Sequence, residues 1–256
     1  MINKVYEKTV NYIKENYKGL LIVIVAILAL TVELPYYISA PGGVINTKDK
    51  VQISSDFKMK GSLNMAYVSQ IQGTIPTLIY AAINPNWDIR KEEDVTVGDE
   101  TIEEEEYRNK MLLEEGNDLA VLVAYDHSDI DYKIENNKIY ATYIDDLAKT
   151  DLEVEDQIIK VDEHKIKEKA DIYKIIENKK IGDKVIFTVL RDGKEKKKTA
   201  TLIGVNGTPK VGVLITETVD IKSDYHVDLK FKGSESGSSG GLMMSLTIYS
   251  YLNKID

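Results

Sequence analysis

The sequence predicts an α+β protein with a hydrophobic helix near its N-terminus, and three observations support this prediction. An uninterrupted apolar run extends from Gly19 to Val32. After residue 38, short segments with the period-two alternation of strands mix with apolar stripes at helical spacing. The composition, 43% hydrophobic and 29% charged with 5 Pro, is that of a folded chain and not of a disordered one.

The composition also excludes several kinds of site and partner. The chain has no Cys, which excludes disulfides, Cys-ligated zinc, iron–sulfur clusters and a Cys nucleophile. A net charge of -9 predicts no nucleic-acid partner, because binding to phosphates needs clustered Lys and Arg. We also expect no cofactor and no metal. The four glutamates at 103–106 fit the acidic first turn of a helix, and Asp126, Asp129 and Asp131 lack the Gly and Glu of a calcium loop.

The apolar run predicts a membrane anchor. Tyr17 and Tyr37 bracket it, and as a helix the stretch between them spans about 30 Å, the thickness of a hydrocarbon core. We therefore predict a cytoplasmic tail over residues 1–18 and a single-pass transmembrane signal anchor over 19–37. The tail carries a net charge of +2, which predicts a cytoplasmic N-terminus and extracytoplasmic C-terminal domains at the cell membrane. A cleaved signal peptide and a buried helix are the alternatives.

Residues 38–126 predict an extracytoplasmic α+β region. The signals are period-two alternation, a Pro that ends a helix, an N-capping Thr and a closing Gly116. The elements expected there are a strand at 63–71, a helix at 75–83, a helix from Thr101 to Leu113 and an apolar strand at 119–124.

Residues 127–205 predict a compact module of short strands with one helix and a terminal hairpin. The helix has one apolar stripe, and the Asp192-Gly193 pair is a strong two-residue hairpin signal. The expected elements are strands at 139–144 and 158–161, a helical stripe of Ile172, Ile175 and Ile176, and hairpin strands at 185–190 and 196–202.

A motif in this module resembles a known family. The run Leu152-Glu-Val-Glu-Asp156-Gln-Ile158-Ile-Lys-Val161-Asp162 resembles the bacterial PDZ segment L-x-x-G-D-x-I-x-x-V-D/N-G, with Glu155 and Glu163 where glycines are usual. The resemblance implies a PDZ-like domain that adds an extended peptide as a strand beside a helix. The groove would lie between residues 139–144 and 171–178, and its lining residues would be Ile139, Tyr140, Ile172 and Ile176. Peptide binding and a structural spacer role are both open.

A Gly/Ser loop, Gly237-Ser-Ser239-Gly-Gly241, precedes the last predicted helix. A Ser in a Gly-rich turn at a helix start lies beside backbone N–H groups that suit an oxyanion. A flexible linker loop is the plainer alternative. The pattern also fits a nucleophile elbow, but no His follows Ser239 in the chain. The sequence has no P-loop, which excludes ATP hydrolysis by that motif.

The run Gly237-Ser-Ser239-Gly-Gly241-Leu-Met resembles the Gly-Pro-Ser-Ala-Gly-Leu-Met segment of Lon-type serine peptidases. The order of tail, anchor, α+β region, PDZ module and peptidase segment is similar to that of the bacterial membrane-anchored PDZ and Lon-type family. The resemblance implies that residues 206–256 are the N-terminal part of an incomplete Lon-type peptidase domain, whose strands lack partners. Ser239 would be the nucleophile, and the oxyanion loop would comprise Gly237, Ser238, Gly240 and Gly241.

In that family a Lys several tens of residues after the Ser serves as the base, and this chain has no Lys in that place. The resemblance thus implies a C-terminally truncated, ATP-independent serine endopeptidase that acts on exported or membrane-proximal peptide or protein substrates. Lon-type domains commonly assemble into rings, so it also implies a homo-oligomer. The alternative is a non-enzymatic, membrane-tethered PDZ peptide-binding or scaffold protein.

Overall fold

The computed structural model describes residues 2–256. Its α-helices are α1 (Ile2–Thr31), α2 (Ile75–Ile83), α3 (Ile102–Asp126), α4 (Lys169–Glu177) and α5 (Gly241–Asn253). Its strands are β1 (Leu34–Asn46), β2 (Val51–Ile53), β3 (Asn64–Gly73), β4 (Asp88–Lys91), β5 (Tyr132–Ile144), β6 (Lys149–Thr150), β7 (Gln157–Val161), β8 (His164–Lys165), β9 (Lys184–Arg191), β10 (Lys194–Thr201), β11 (Ile203–Val205), β12 (Thr208–Lys210), β13 (Val213–Ser223) and β14 (Val227–Leu229). The chain forms two compact units, one of Met1–Gly43 with Tyr67–Val95 and one of Val44–Ala66 with Thr96–Asp256.

In the first unit, α1 ends earlier than the sequence predicts. Instead of continuing to Tyr37, the helix stops at Thr31 and β1 begins at Leu34. Pro35 explains the change, because proline disfavours the helical region for the residue before it and has no N–H to donate. Within residues 2–256, no helix is both long enough and apolar enough to cross a membrane.

The remainder of the first unit is a three-stranded sheet in the order β3-β1-β4, with α2 following β3. The helix predicted at 75–83 is confirmed. Thr74 occupies its N-cap, where the Thr74 backbone N–H donates to the Thr77 hydroxyl (2.8 Å), and Pro76 lies in the first turn, where no intrahelical N–H is needed.

The second unit contains the module predicted from the hairpin and helix signals. Its main sheet has the order β13-β5-β7-β9-β10-β6, and β8 pairs with β7. The β9–β10 hairpin turns at Asp192 and Gly193, whose φ values of 54° and 71° are those of the predicted two-residue turn. One apolar core fills the space between the sheet and α4, and its largest members are Phe187, Ile139, Leu202, Ile158, Ile172 and Ile176.

Helix α3 corrects the prediction of a strand at 119–124, because the helix runs unbroken from Ile102 to Asp126. Ala120, Val121 and Ala124 are buried on one of its faces and pack in a cluster that includes residues of α5. Gly116 does not end the helix. A Cβ there would lie 3.6 Å from the carbonyl oxygen of Ser238, so its small size serves close approach of the loop before α5.

Segments from before and after the module complete the second unit. Strand β2 pairs with β14, and the Thr47 and Thr247 hydroxyls share a buried 2.6 Å hydrogen bond. Strands β13 and β14 thus both find partners upstream, and the expectation of unpaired strands after residue 206 is wrong. In sequence, the module of residues 127–205 lies between the segments that form the rest of the second unit. These segments are residues 44–66 and 96–126 before it and residues 206–256 after it.

Candidate functional site

The predicted groove lies along β5, and the structure shows which segment occupies it. One edge of β5 pairs with β7, where Ile139 faces Ile158. The other edge pairs with β13 in antiparallel register, from Val213 opposite Ile144 to Ser223 opposite Tyr132. The edge on which a peptide would add is therefore already paired with a strand of the same chain.

The predicted groove residues meet, but in a core and not in an open groove. Ile139, Ile172 and Ile176 are buried in one apolar cluster, while Tyr140 is half-buried. The cluster also contains Ile215 of β13, which is 7% exposed. The side chain of Ile215 thus belongs to the same core as the predicted groove residues.

The side chain of Glu217 lies on the same face of β13 as Ile215, two residues further along the strand. Its carboxylate accepts a hydrogen bond from the backbone N–H of Lys169, the first residue of α4, at 3.1 Å. It also accepts a hydrogen bond from the Asn137 amide of β5. The strand in the groove is therefore fixed by a carboxylate as well as by backbone pairing.

The outer edge of β13 is covered by two carboxylates of α3. The backbone N–H of Glu217 donates to Glu115 Oε1 at 3.0 Å, and the N–H of Val219 donates to Asp118 Oδ2 at 2.8 Å. Lys169 Nζ also donates to Glu115, at 2.5 Å. These contacts satisfy donors that would otherwise form an open sheet edge.

Burial is the largest cause of an altered titration of Asp118, and it raises the pKa of this carboxyl to about 6. The hydrogen bond from the Val219 N–H opposes this shift. The nearby carboxylates of Glu114, Asp220 and Glu115 reinforce it, because each disfavours another negative charge.

The Asp of the PDZ motif has a structural role. Asp156 is fully buried and accepts a bidentate pair from Arg191, with both N–O distances at 2.6 Å. Hydrogen bonds to Asp156 and Glu153 raise the pKa of the Arg191 guanidinium further above its ordinary value. The pair joins the loop before β7 to the end of β9, and so positions the strand that carries the motif.

The two motif positions at which Glu replaces the usual Gly keep the backbone that Gly would adopt. Glu155 has φ 74° and Glu163 has φ 65°. Both values lie in the left-handed region that favours glycine. The departure from the motif is therefore one of side chain and not of backbone conformation.

The sequence of this region matches the PDZ domain family over residues 132–202. Residues 132–202 form a PDZ domain. The match ends before β13, so the strand that pairs with β5 comes from outside the domain as the family defines it.

Two of the solved structures that are similar to this PDZ domain come from Listeria. The PDZ domain of an SdrC-like protein of Listeria monocytogenes is 22% identical, with a TM-score of 0.30. The match covers 32% of this chain and 92% of the Listeria chain. The PDZ domain of an SdrC-like protein of Listeria innocua is 24% identical, with a TM-score of 0.29. This match covers 30% of this chain and 92% of the Listeria chain. No curated protein sequence matches this chain.

The Gly/Ser loop lies at the surface. Ser238 and Ser239 are exposed in the turn that leads into α5, which begins at Gly241. Gly237 has φ 97°, a backbone that glycine adopts without strain. A Cβ at Gly241 would lie 3.3 Å from the carbonyl oxygen of Gly116, so close packing against α3 also explains a glycine here.

A cleft of about 350 Å³ lies elsewhere, between the second half of α3, β13 and β14. Its lining includes Asp118, Asp220 and His226, and does not include residues 237–241. The structure thus keeps the predicted nucleophile loop apart from this cleft.

Sequence reasoning missed the residues that hold β13 in place, namely Glu217, Asn137, Glu115 and Asp118. Residues 219–222 of β13, Val-Asp-Ile-Lys, alternate apolar and polar side chains, which is a strand signal. No local signal states which strand it joins, because pairing with β5 depends on residues far apart in sequence.

Proposed function

We propose that this chain binds extended peptide or protein segments in the PDZ groove between β5 and α4, and that β13 occupies the groove until a ligand displaces it. PDZ domains bind peptides by adding them as a strand beside a helix. The observation that carries the proposal is the antiparallel pairing of β13 along β5 beside α4, since this is the placement of a bound peptide.

Because β13 belongs to the same chain as the groove, a free ligand must compete with it for binding. A segment held on the same chain acts at an effective concentration on the order of millimolar, so a free peptide binds weakly to the intact protein. Any change that releases β13 raises the fraction of open groove, and the apparent affinity for a free peptide rises by the same factor. Occupation by β13 and binding of a ligand are therefore two states of one site.

The test weakens the pairing of β13 and supplies the same strand as a free peptide. The N–H groups of Glu217 and Val219 point to α3, so the N–H of Thr218 between them faces β5. Thr218→Pro removes that donor, whereas the control Thr218→Ala keeps it. A labelled peptide of residues 211–223 should bind Thr218→Pro at least about tenfold more tightly than wild type or Thr218→Ala, by fluorescence anisotropy.

Hydrogen exchange should then place the peptide along β5 and α4. A folded Thr218→Pro protein that binds this peptide no better than wild type does would refute the proposal. If Thr218→Pro does not fold, a chain cut at inserted protease sites in the Asn206-Gly207 turn and after Ser223 replaces it, because there the strand is freed without a core substitution.

A second candidate function is that of a serine endopeptidase of the Lon type, and the exposure of Ser239 at the start of α5 favours it. In this proposal the Ser239 hydroxyl attacks the scissile carbonyl, a neutral Lys amine of the kind that the Lon-type resemblance implies takes the hydroxyl proton and passes it to the leaving amine, and backbone N–H groups of the loop stabilise the oxyanion. A fluorophosphonate applied to the protein should label the wild type and Ser238→Ala equally. Undiminished labelling of Ser239→Ala would remove Ser239 from the mechanism.

We also propose that α1 attaches the chain to a membrane, with its N-terminus in the cytoplasm. Large apolar side chains are exposed around the helix, among them Ile22 at 68% and Leu30 at 62%. Two substitutions, Ile24→Glu and Val25→Glu, should release the protein from the membrane fraction of cells, whereas Asn16→Glu should not. Equal retention of both variants would contradict attachment through this helix.

A further inference from the structure

Strand β13 occupies the position that we propose for a bound peptide. Its side chains therefore indicate which residues the groove accommodates. Ile215 and Glu217 point to the same side of the strand, since strand side chains alternate. Ile215 enters the apolar cluster that contains Ile172 and Ile176 of α4. Glu217 lies opposite Ile139 and reaches the start of the same helix.

Two donors converge on the Glu217 carboxylate. One is the backbone N–H of Lys169, which as the first residue of α4 has no partner within its own helix. The other is the side-chain amide of Asn137 on β5. The strand and the helix that form the two sides of the groove thus each contribute one donor to the same carboxylate.

The orientation of Asn137 indicates that this subsite is built for an acceptor. Its Oδ1 is buried and, among the residues that the structure describes, has no hydrogen-bond partner. Its Nδ2 is directed toward Glu217, so Asn137 presents a donor to the side chain at position 217.

A cation at position 217 would meet an unfavourable environment. It would face the positive end of the α4 dipole, and Asn137 could offer it an acceptor only by turning its Oδ1 toward position 217. The Lys169 ammonium lies close by and is bound to Glu115. A neutral amide would keep the shape of glutamate but not its charge.

We propose that the PDZ groove is specific for extended segments in which an apolar residue is followed two positions later by an acidic residue, with Ile215 and Glu217 as the resident example. The inference rests on the proposed function, because it assumes that β13 can be replaced by a ligand. The ligand is recognised along its length, through an internal carboxylate side chain, as part of a strand antiparallel to β5.

The experiment exchanges the strand. The full chain is cut at protease sites inserted in the exposed Asn206-Gly207 turn and after Ser223, so that β13 remains bound without covalent bonds. Labelled peptides of residues 211–223 then compete for the groove, and their uptake is measured by fluorescence anisotropy. The uncut chain is the control, and it should bind the peptide at least about tenfold more weakly, because its own β13 stays tethered.

The peptides differ at one position each. Relative to the native peptide, Glu217→Gln should bind about 10- to 100-fold more weakly, because a hydrogen-bonded charge contributes about 1.5–3 kcal/mol. Glu217→Lys should bind more weakly still. The matched control is Asp220→Asn, which neutralises an exposed carboxylate that also accepts an amide hydrogen bond, at 2.8 Å from Asn136. It should bind within about threefold of the native peptide.

The outcomes separate the two proposals. If the native, Gln and Lys peptides enter the groove equally well, strand binding stands and carboxylate specificity is overturned. If Asp220→Asn weakens binding as much as Glu217→Gln, the effect is one of general charge and the assigned subsite is wrong. If no peptide of any sequence enters the cut protein, the proposed function itself fails.

Discussion

The sequence predicts a peptide-binding groove beside β5 and a nucleophile in the loop before α5. The two places differ in how accessible they are to solvent. In the groove, Ile139 and Ile215 are buried and the strand edge is paired. In the loop, Ser238 and Ser239 lie exposed at the surface. A local motif therefore predicts the backbone of a site, whereas its accessibility depends on segments elsewhere in the chain.

The largest expected effect separates two adjacent residues of β13. Ile215→Ala removes a buried side chain from the PDZ core and should lower the free energy of unfolding by about 2–5 kcal/mol. Leu214→Ala, where the side chain is 42% exposed, should cost less than about 1 kcal/mol. Urea denaturation of both variants measures the difference. Equal losses would show that β13 does not fill the core.

A smaller effect is expected at the contact of α3 with β13. Glu115→Ala removes the acceptor of both the Glu217 N–H and Lys169 Nζ, and should lower the free energy of unfolding by about 1–3 kcal/mol. Hydrogen exchange at the Glu217 amide should accelerate. The control Glu114→Ala changes an exposed neighbour and should stay within about 0.5 kcal/mol. Slow exchange in Glu115→Ala would mean that another group covers this edge.

The raised pKa of Asp118 makes the free energy of unfolding depend on pH, with a sign that can be stated. Its pKa is raised to about 6, above the ordinary value of 3.8, so the folded protein binds this proton more tightly than the unfolded chain does. The contribution of this group to stability is thus present at low pH and is lost as pH rises through about 6. In Asp118→Asn, the free energy of unfolding between pH 4 and 7 should lack this fall. A steeper fall in the variant would contradict the assignment.

The smallest effect is expected in the loop. Ser239→Ala changes an exposed side chain and should alter the free energy of unfolding by less than about 0.5 kcal/mol, as should Ser238→Ala. Thermal denaturation checks both. A loss of more than about 2 kcal/mol in Ser239→Ala alone would indicate that this hydroxyl supports the fold, and the contrast between loop and groove would disappear.

Much of the PDZ domain could be predicted from the sequence because its signals are local. Asp192-Gly193 specifies the hairpin turn, and the apolar stripe of Ile172 and Ile176 specifies the buried face of α4. At Glu155, where the motif usually has Gly, the backbone is left-handed with φ 74°, although the sequence alone did not predict this. Each of these features is determined within a few residues.

The rest depends on partners that are distant in sequence. Residues 119–124 read as an apolar strand, but they are helical because Ala120 and Ala124 pack in one cluster with Met244 and Ile248 of α5. The alternation in β13 predicts a strand without naming its neighbour. That neighbour is β5, and the buried hydroxyls of Thr142 and Thr216, 74 positions apart, join across the pair.

The distance in sequence between β5 and β13 has a consequence for synthesis on the ribosome. Thr216 emerges 74 residues after Thr142. The PDZ domain ends at residue 202, so at about 5–20 residues per second the completed domain waits roughly 1 to 3 seconds for Thr216, with an unpaired edge. During this interval any extended segment nearby, including one from a neighbouring nascent chain, can join that edge. The pace of translation through β11 and β12 therefore governs how long the newly synthesised domain can pair with another segment before β13 is synthesised.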